Sequence, residues 1–135
     1  MHLIADDFGQ PNGICFSLDH TQLFVNNTDN GHIRVFDVAY NTAVTGGSVW
    51  AAPEGDGTGA PDGMKMNAAG NIVCADPGGV HVFAPDATPL GRSCMPEVTA
   101  NFTWDDGDVR SLYLTATNSL YCIHTTTACV DLFNF

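Results

Sequence analysis

A chain of 135 residues with 44% apolar side chains can bury one compact core and leaves no room for a second domain of ordinary size. Four basic side chains stand against 15 acidic ones, and the net charge of -11 repels a nucleic-acid backbone or an anionic membrane surface, so neither is expected as a partner. No run reaches the roughly 18 apolar residues that a spanning helix needs. The opening residues MHLIADDFGQ lack the basic region and apolar stretch of a signal peptide, so the compartment stays open.

Helical periodicity is nearly absent. Short runs rich in Val, Ile, Phe, Tyr and Thr recur instead between clusters of Gly, Asn, Asp and Pro, which predicts an all-β fold. In chain order the expected strands are Ile14 to Ser17, Leu23 to Asn26, His32 to Val38, Ser48 to Ala51, Gly63 to Met66 and Ile72 to Ala75. Gly79 to Phe83, Gly91 to Cys94, Asn101 to Trp104, Ser111 to Thr115 and Ser119 to His124 follow. LDHTQ, TDNG, PGG, APDAT and DDGD supply the residues that tolerate positive φ or close a turn. The stretch GDGTGAPDG, residues 55 to 63, is too turn-rich to be an element, and without a Lys followed by Ser or Thr it is no phosphate loop.

The order of elements repeats. QPNGICFSLDH, residues 10 to 20, has a near twin in APDGMKMNAAG, residues 60 to 70, and each is followed by a second strand (LFVN, NIVCA), a tight turn and a third strand. A third copy starts at VTANFTW and runs through SLYLTAT and SLYCIHT. Repeats of about 40 to 50 residues with three or four strands are propeller blades, because one small sheet cannot cover both of its apolar faces. Three blades are expected, near residues 10–55, 56–97 and 98–135. As propellers close with about 4 to 8 blades, three form an open arc whose other half is expected on the N-terminal side.

The two Pro-X-Gly slots carry Asn12 and Asp62. In a propeller the segment before each blade's innermost strand lies beside the central channel, where an amide oxygen and a carboxylate suit a hard divalent cation. The amide binds without titrating, while the carboxylate can also take a proton. The same dipeptides, Asn-Gly and Asp-Gly, are first of all turn formers, and local pattern alone leaves both readings standing.

PNGICFSLDHTQLFVNNTDNGHIRVFDV, then PDGMKMNAAGNIVCADPGGVHVFAPDATPLGRSCMPE, then VTANFTWDDGDVRSLYLTATNSLYCI together resemble the C-terminal half of the senescence-marker-protein/gluconolactonase family, over about Asp7 to His124. The resemblance implies a six-bladed β-propeller with one divalent metal ion, Ca²⁺ first and Zn²⁺ or Mg²⁺ as alternatives, that hydrolyses sugar lactones or related esters. It implies Asn12 and Asp62 as metal ligands, Asp62 also as the catalytic general base, and it places the family's Glu ligand and a further substrate-contacting Asn and Arg in blades outside this chain. Weak metal binding and little hydrolysis by this chain alone follow as expectations. A non-catalytic propeller serving as a binding scaffold, an inactive truncated product, and self-association through open blade faces are the alternatives.

Asn101, opening the third repeat, is a candidate to line the substrate pocket, with a backbone hydrogen bond as its competing role. Asn27 and Asp29 are read as turn residues, with support for the metal site as the alternative. Asn26 and Asn101 each open an N-X-T glycosylation sequon. His2, His20, His32, His81 and His124 show no ligand spacing and no Ser-His-Asp arrangement. Most of Cys15, Cys74, Cys94, Cys122 and Cys129 are expected as buried small hydrophobes, with a Cys94 to Cys129 or Cys122 to Cys129 bridge left open. Trp50, Phe83, Trp104, Phe133 and Phe135 are read as packing residues.

Overall fold

The computed structural model describes residues 1–39, 43–105 and 109–127, and among them there is no helix. Among the described residues eleven strands form three antiparallel sheets. Sheet 1 is the meander β1 (Pro11–Phe16), β2 (Gln22–Asn27), β3 (His32–Val38) and β4 (Val44–Ala51); sheet 2 is β5 (Met64–Met66), β6 (Ile72–Asp76), β7 (Gly79–Phe83) and β8 (Pro89–Cys94). Sheet 3 comprises β9 (Thr99–Asp105), β10 (Ser111–Ala116) and β11 (Leu120–His124). Every expected strand is present, with differences at the ends. β4 begins at Val44 rather than Ser48 because Gly46 and Gly47, at φ 91° and 98°, pass through an irregularity in the β3–β4 pairing that a run of two glycines conceals.

The sheets stack through alternating side chains. On β6, Ile72 and Cys74 enter a core with Phe24, Ile33, Ala51, Met64, Met66 and Phe83 between sheets 1 and 2. Val73 and Ala75 point the other way, into a second core with Val80, Phe102, Trp104, Leu112 and Leu114 between sheets 2 and 3. Both faces of this strand are covered, which is why IVCAD lacks the polar alternation of a half-buried strand. Trp50 packs edge-on against Phe24 and Phe83 at centroid distances of 5.0 and 5.9 Å, and Trp104 against Phe102 at 5.6 Å, in keeping with the packing roles read for Trp50, Phe83 and Trp104. Phe133, Phe135 and Cys129 lie outside the described residues, and with Cys129 both candidate disulfides.

The remaining face of sheet 1 carries Leu23, Val25 and Phe36, against which Ala5 and Phe8 of the N-terminal segment pack. Arg34 secures that segment: its guanidinium pairs with Asp7 through two bonds of 2.7 and 3.2 Å, donates to the Gly47 carbonyl, and lies 4.5 Å from the Phe8 ring centroid. The cysteines depart from expectation. Cys74 is buried and Cys15 half-buried, but Cys94 and Cys122 are exposed, because each falls on a side of an outer strand that no neighbouring sheet covers.

Candidate metal and substrate site

The two slots meet where sheets 1 and 2 come together, with β1 beside β5. Neither Gly13 nor Gly63 has positive φ, so backbone freedom is not why glycine stands there. A β-carbon on Gly13 would overlap the Asp62 carbonyl oxygen and lie 2.8 Å from both Asn26 Nδ2 and Met64 Cβ. One on Gly63 would lie 2.5 Å from Asn101 Oδ1 and 2.8 Å from its Cα. The repeated glycine therefore answers a steric need: each slot presses its backbone against the slot of the following sheet. In this way the backbones of Asn12, Asp62 and Asn101 are brought into one row.

Hydrogen bonds hold the row. The Gly13 N–H donates to Asn26 Oδ1 at 2.8 Å, and Asn26 Nδ2 donates to the Asp62 carbonyl at 2.5 Å. Asn12 Nδ2 donates to Thr28 Oγ1 at 3.4 Å, and that hydroxyl donates to the Pro61 carbonyl at 2.6 Å. The Asp62 N–H reaches the Ala75 carbonyl at 3.0 Å and the Gly63 N–H the Ala100 carbonyl at 2.8 Å, so sheets 1, 2 and 3 all contribute.

The side chains themselves are differently placed. Asn12 is exposed and Asp62 half-buried, and among the described residues no hydrogen bond or ion pair engages Asn12 Oδ1 or the Asp62 carboxylate. Asn101 is exposed, and its Oδ1 accepts from the Phe102 N–H at 2.8 Å, which leaves the amide nitrogen for other use. Asn26, read as a sequon, is completely buried between the sheets and out of reach of a glycosylating enzyme. Asn27 is buried as well, and its Oδ1 accepts from the Gln10 N–H at 3.1 Å, bracing the segment that leads into β1.

Asp76 is the residue that sequence reasoning passed over. It closes β6 directly after Ala75 and is 3% exposed, and among the described residues no group meets hydrogen-bond geometry with either of its buried carboxylate oxygens, the weakly donating Cys74 thiol included. Burial pushes its pKa up to about 7. An Asp before Pro-Gly-Gly reads as a turn residue, and only the cover over the strand end shows otherwise. Burial likewise raises the Cys74 thiol well above its usual range, with the Asp76 charge adding to the effect, so Cys74 stays a neutral thiol.

Among the described residues no three His, Cys, Asp or Glu side chains gather as a metal cluster. The donors offered by the row fit a hard cation in kind, one amide and one carboxylate oxygen, but fall short of the roughly 6 to 8 oxygens that Ca²⁺ takes.

The model of the SMP-30/gluconolactonase/LRE-like region matches residues 1–118. A gluconolactonase of Zymomonas mobilis subsp. mobilis is 33% identical over 98 residues, 67% of this chain and 28% of the relative. Among solved structures, a putative gluconolactonase superposes with a TM-score of 0.84 at 27% identity, over 93% of this chain and 42% of the other. A gluconolactonase from Xanthomonas campestris gives 0.77 at 28% identity, over 88% and 39%, and the calcium-binding protein regucalcin from Agrobacterium tumefaciens gives 0.74 at 26%, over 86% and 41%. This chain thus spans less than half the length of each of these relatives. With matches of this extent to both sequence and fold, the chain belongs to the SMP-30/gluconolactonase/LRE-like family, and its three sheets are blades of a partial β-propeller.

Proposed function

We propose that this chain carries part of the active site of a metal-dependent sugar-lactone hydrolase, with Asn12 and Asp62 as ligands to one divalent cation, Ca²⁺ foremost. The observation that supports the reading best is the double tie between the slots, through Asn26 and through Thr28, which leaves one amide and one carboxylate group with oxygens that have no partner among the described residues. The gluconolactonases among the relatives and the calcium-binding regucalcin agree with this choice of substrate and ion.

In the reaction water adds to the lactone carbonyl carbon, the ring C–O ester bond breaks, and a proton travels from the water to the departing ring oxygen. Asp62 is the proton carrier: its residue is half-buried, its carboxylate meets no donor among the described residues, and its backbone N–H and C=O are both hydrogen-bonded. Asn12 stays neutral at every pH, and the pinning of its nitrogen by Thr28 leaves Oδ1 as its ligating atom. Asn101, adjacent to Gly63, offers its amide nitrogen to a substrate hydroxyl. A divalent ion bound here supplies Lewis-acid polarisation of the carbonyl.

Two protein oxygens make an incomplete ligand set, so this chain alone binds Ca²⁺ weakly and hydrolyses little. The test is gluconolactone hydrolysis by the purified chain, followed by acid release with Ca²⁺ and with chelator, for the native protein and Asp62→Asn. Any turnover above the spontaneous rate is expected to vanish in Asp62→Asn and with chelator. Turnover that survives in Asp62→Asn overturns the role of Asp62, and tight one-to-one Ca²⁺ binding in calorimetry overturns the incomplete site.

A further inference from the structure

Asn26 stands in β2 on the same face as Phe24, turned toward sheet 2, with no exposed surface. Its three predecessors are Leu23, Phe24 and Val25, and an apolar residue in its place would fill the space between the sheets equally well. Burial alone does not call for an amide here. What the amide adds is a bridge: Oδ1 takes the N–H of the peptide joining Asn12 to Gly13, and Nδ2 gives to the C=O of the peptide joining Asp62 to Gly63. Nδ2 also faces Cys74 Sγ at 3.6 Å, so its second proton meets the neutral thiol.

We infer that Asn26 is a positioning residue that sets the spacing between Asn12 and Asp62 and thereby the affinity of the cation site, an inference that rests on the reading of those two residues as ligands. Each of its bonds ends on a peptide directly attached to the Cα of a ligand residue. Rotating the amide would strand a buried N–H and a half-buried C=O at once, so one planar group fixes both peptides relative to each other. Asn67 shows the contrast. It is also buried, at 4% exposure, but among the described residues its Oδ1 accepts only from the N–H groups of Ala69 and Asn71 in its own turn, at 3.0 Å each.

The test uses Mn²⁺ as a paramagnetic probe of a weak site, read by NMR line broadening at the Gly13 and Gly63 amides. In the native chain both amides broaden together, at one Mn²⁺ concentration. In Asn26→Leu, which removes both polar ends, and Asn26→Ser, whose single short hydroxyl cannot span both peptides, the concentration is expected to rise about tenfold or more and the two amides to titrate apart, while Asn67→Ser stays within about twofold of native, since loss of a group that orients a ligand costs about 10- to 100-fold in metal affinity. Asn26 variants that titrate like the native chain, or shift no more than Asn67→Ser, overturn the inference. Asp62→Ala separates the two levels. If it leaves broadening unchanged, the ligand reading itself fails; if it weakens binding where the Asn26 variants do not, only the positioning role fails.

Discussion

Replacing Gly13 by Ala puts the steric account of the repeated glycine to a quantitative test. The added methyl would overlap the Asp62 carbonyl oxygen and crowd Met64 Cβ and the Asn26 amide, two of which belong to backbone or to a side chain already fixed at both ends. Overpacking of this kind costs about 1 to 3 kcal/mol. Pushing β1 away from β5 also lengthens the bond from the Gly13 N–H to Asn26, for about 1 kcal/mol more. The expected loss is ~2 to 4 kcal/mol, a large part of a total stability of about 5 to 15 kcal/mol. Gly31→Ala is the reference, because Gly31 has φ 63° and nothing within 4 Å of a β-carbon, so only left-handed backbone strain of about 1 to 2 kcal/mol applies. Urea unfolding of the two variants, compared by midpoint at unchanged slope, reads the difference. If Gly13→Ala costs no more than Gly31→Ala, the slot glycine is a turn residue after all and the packing argument is wrong.

Other consequences follow from the same contacts. The folded-state pKa of Asp76 lies above its unfolded value, so its contribution to stability is fully present below about pH 4 and is lost as pH rises toward 7; Asp76→Asn should remove that downward slope from a plot of Tm against pH, and identical slopes in both proteins contradict the burial of a free carboxylate. Glu97 works in the opposite sense. Hydrogen bonds from Ser119 Oγ, the Asn118 N–H and the Tyr121 hydroxyl hold its carboxyl below the usual range, so the β10–β11 turn should loosen as pH falls through that lowered value. Hydrogen exchange at Asn118 checks this, with Glu97→Gln expected to exchange fast at every pH. Leu114, fully buried between sheets 2 and 3, should cost about 2 to 5 kcal/mol as Ala in urea unfolding. Arg34→Lys forfeits the paired bonds to Asp7, and limited proteolysis should then cut the first ten residues sooner.

The fold was legible because the chain repeats itself. Three successive sheets, each bounded by Gly, Asn and Asp turns, make the strand order visible even where a single strand such as Met64–Met66 is only three residues long. Strand ends were less so: Gly46 and Gly47 hid the first half of β4, and Pro89 hid the start of β8, since both residue types ordinarily interrupt a ladder. At the candidate site, Asn12 and Asp62 stood out through their matching slots, whereas Asn26 and Asp76 did not. A polar residue near the end of a strand has the same appearance whether it caps a turn or is buried against a neighbouring sheet, and only the packing of sheet 1 on sheet 2 distinguishes the cases. The cysteines illustrate the same limit, because exposure of Cys94 and Cys122 depends on which strand faces have a neighbour rather than on local composition.

The proposed site requires one cation shared by Asn12 and Asp62. Anomalous diffraction from crystals of this chain soaked at high Mn²⁺ concentration addresses it directly. A single strong peak within about 2.0 to 2.6 Å of both Asn12 Oδ1 and an Asp62 carboxylate oxygen is the predicted result, in the range of oxygen-ligated divalent ions. A peak bound to other residues, or one touching Asp62 while Asn12 points elsewhere, contradicts it.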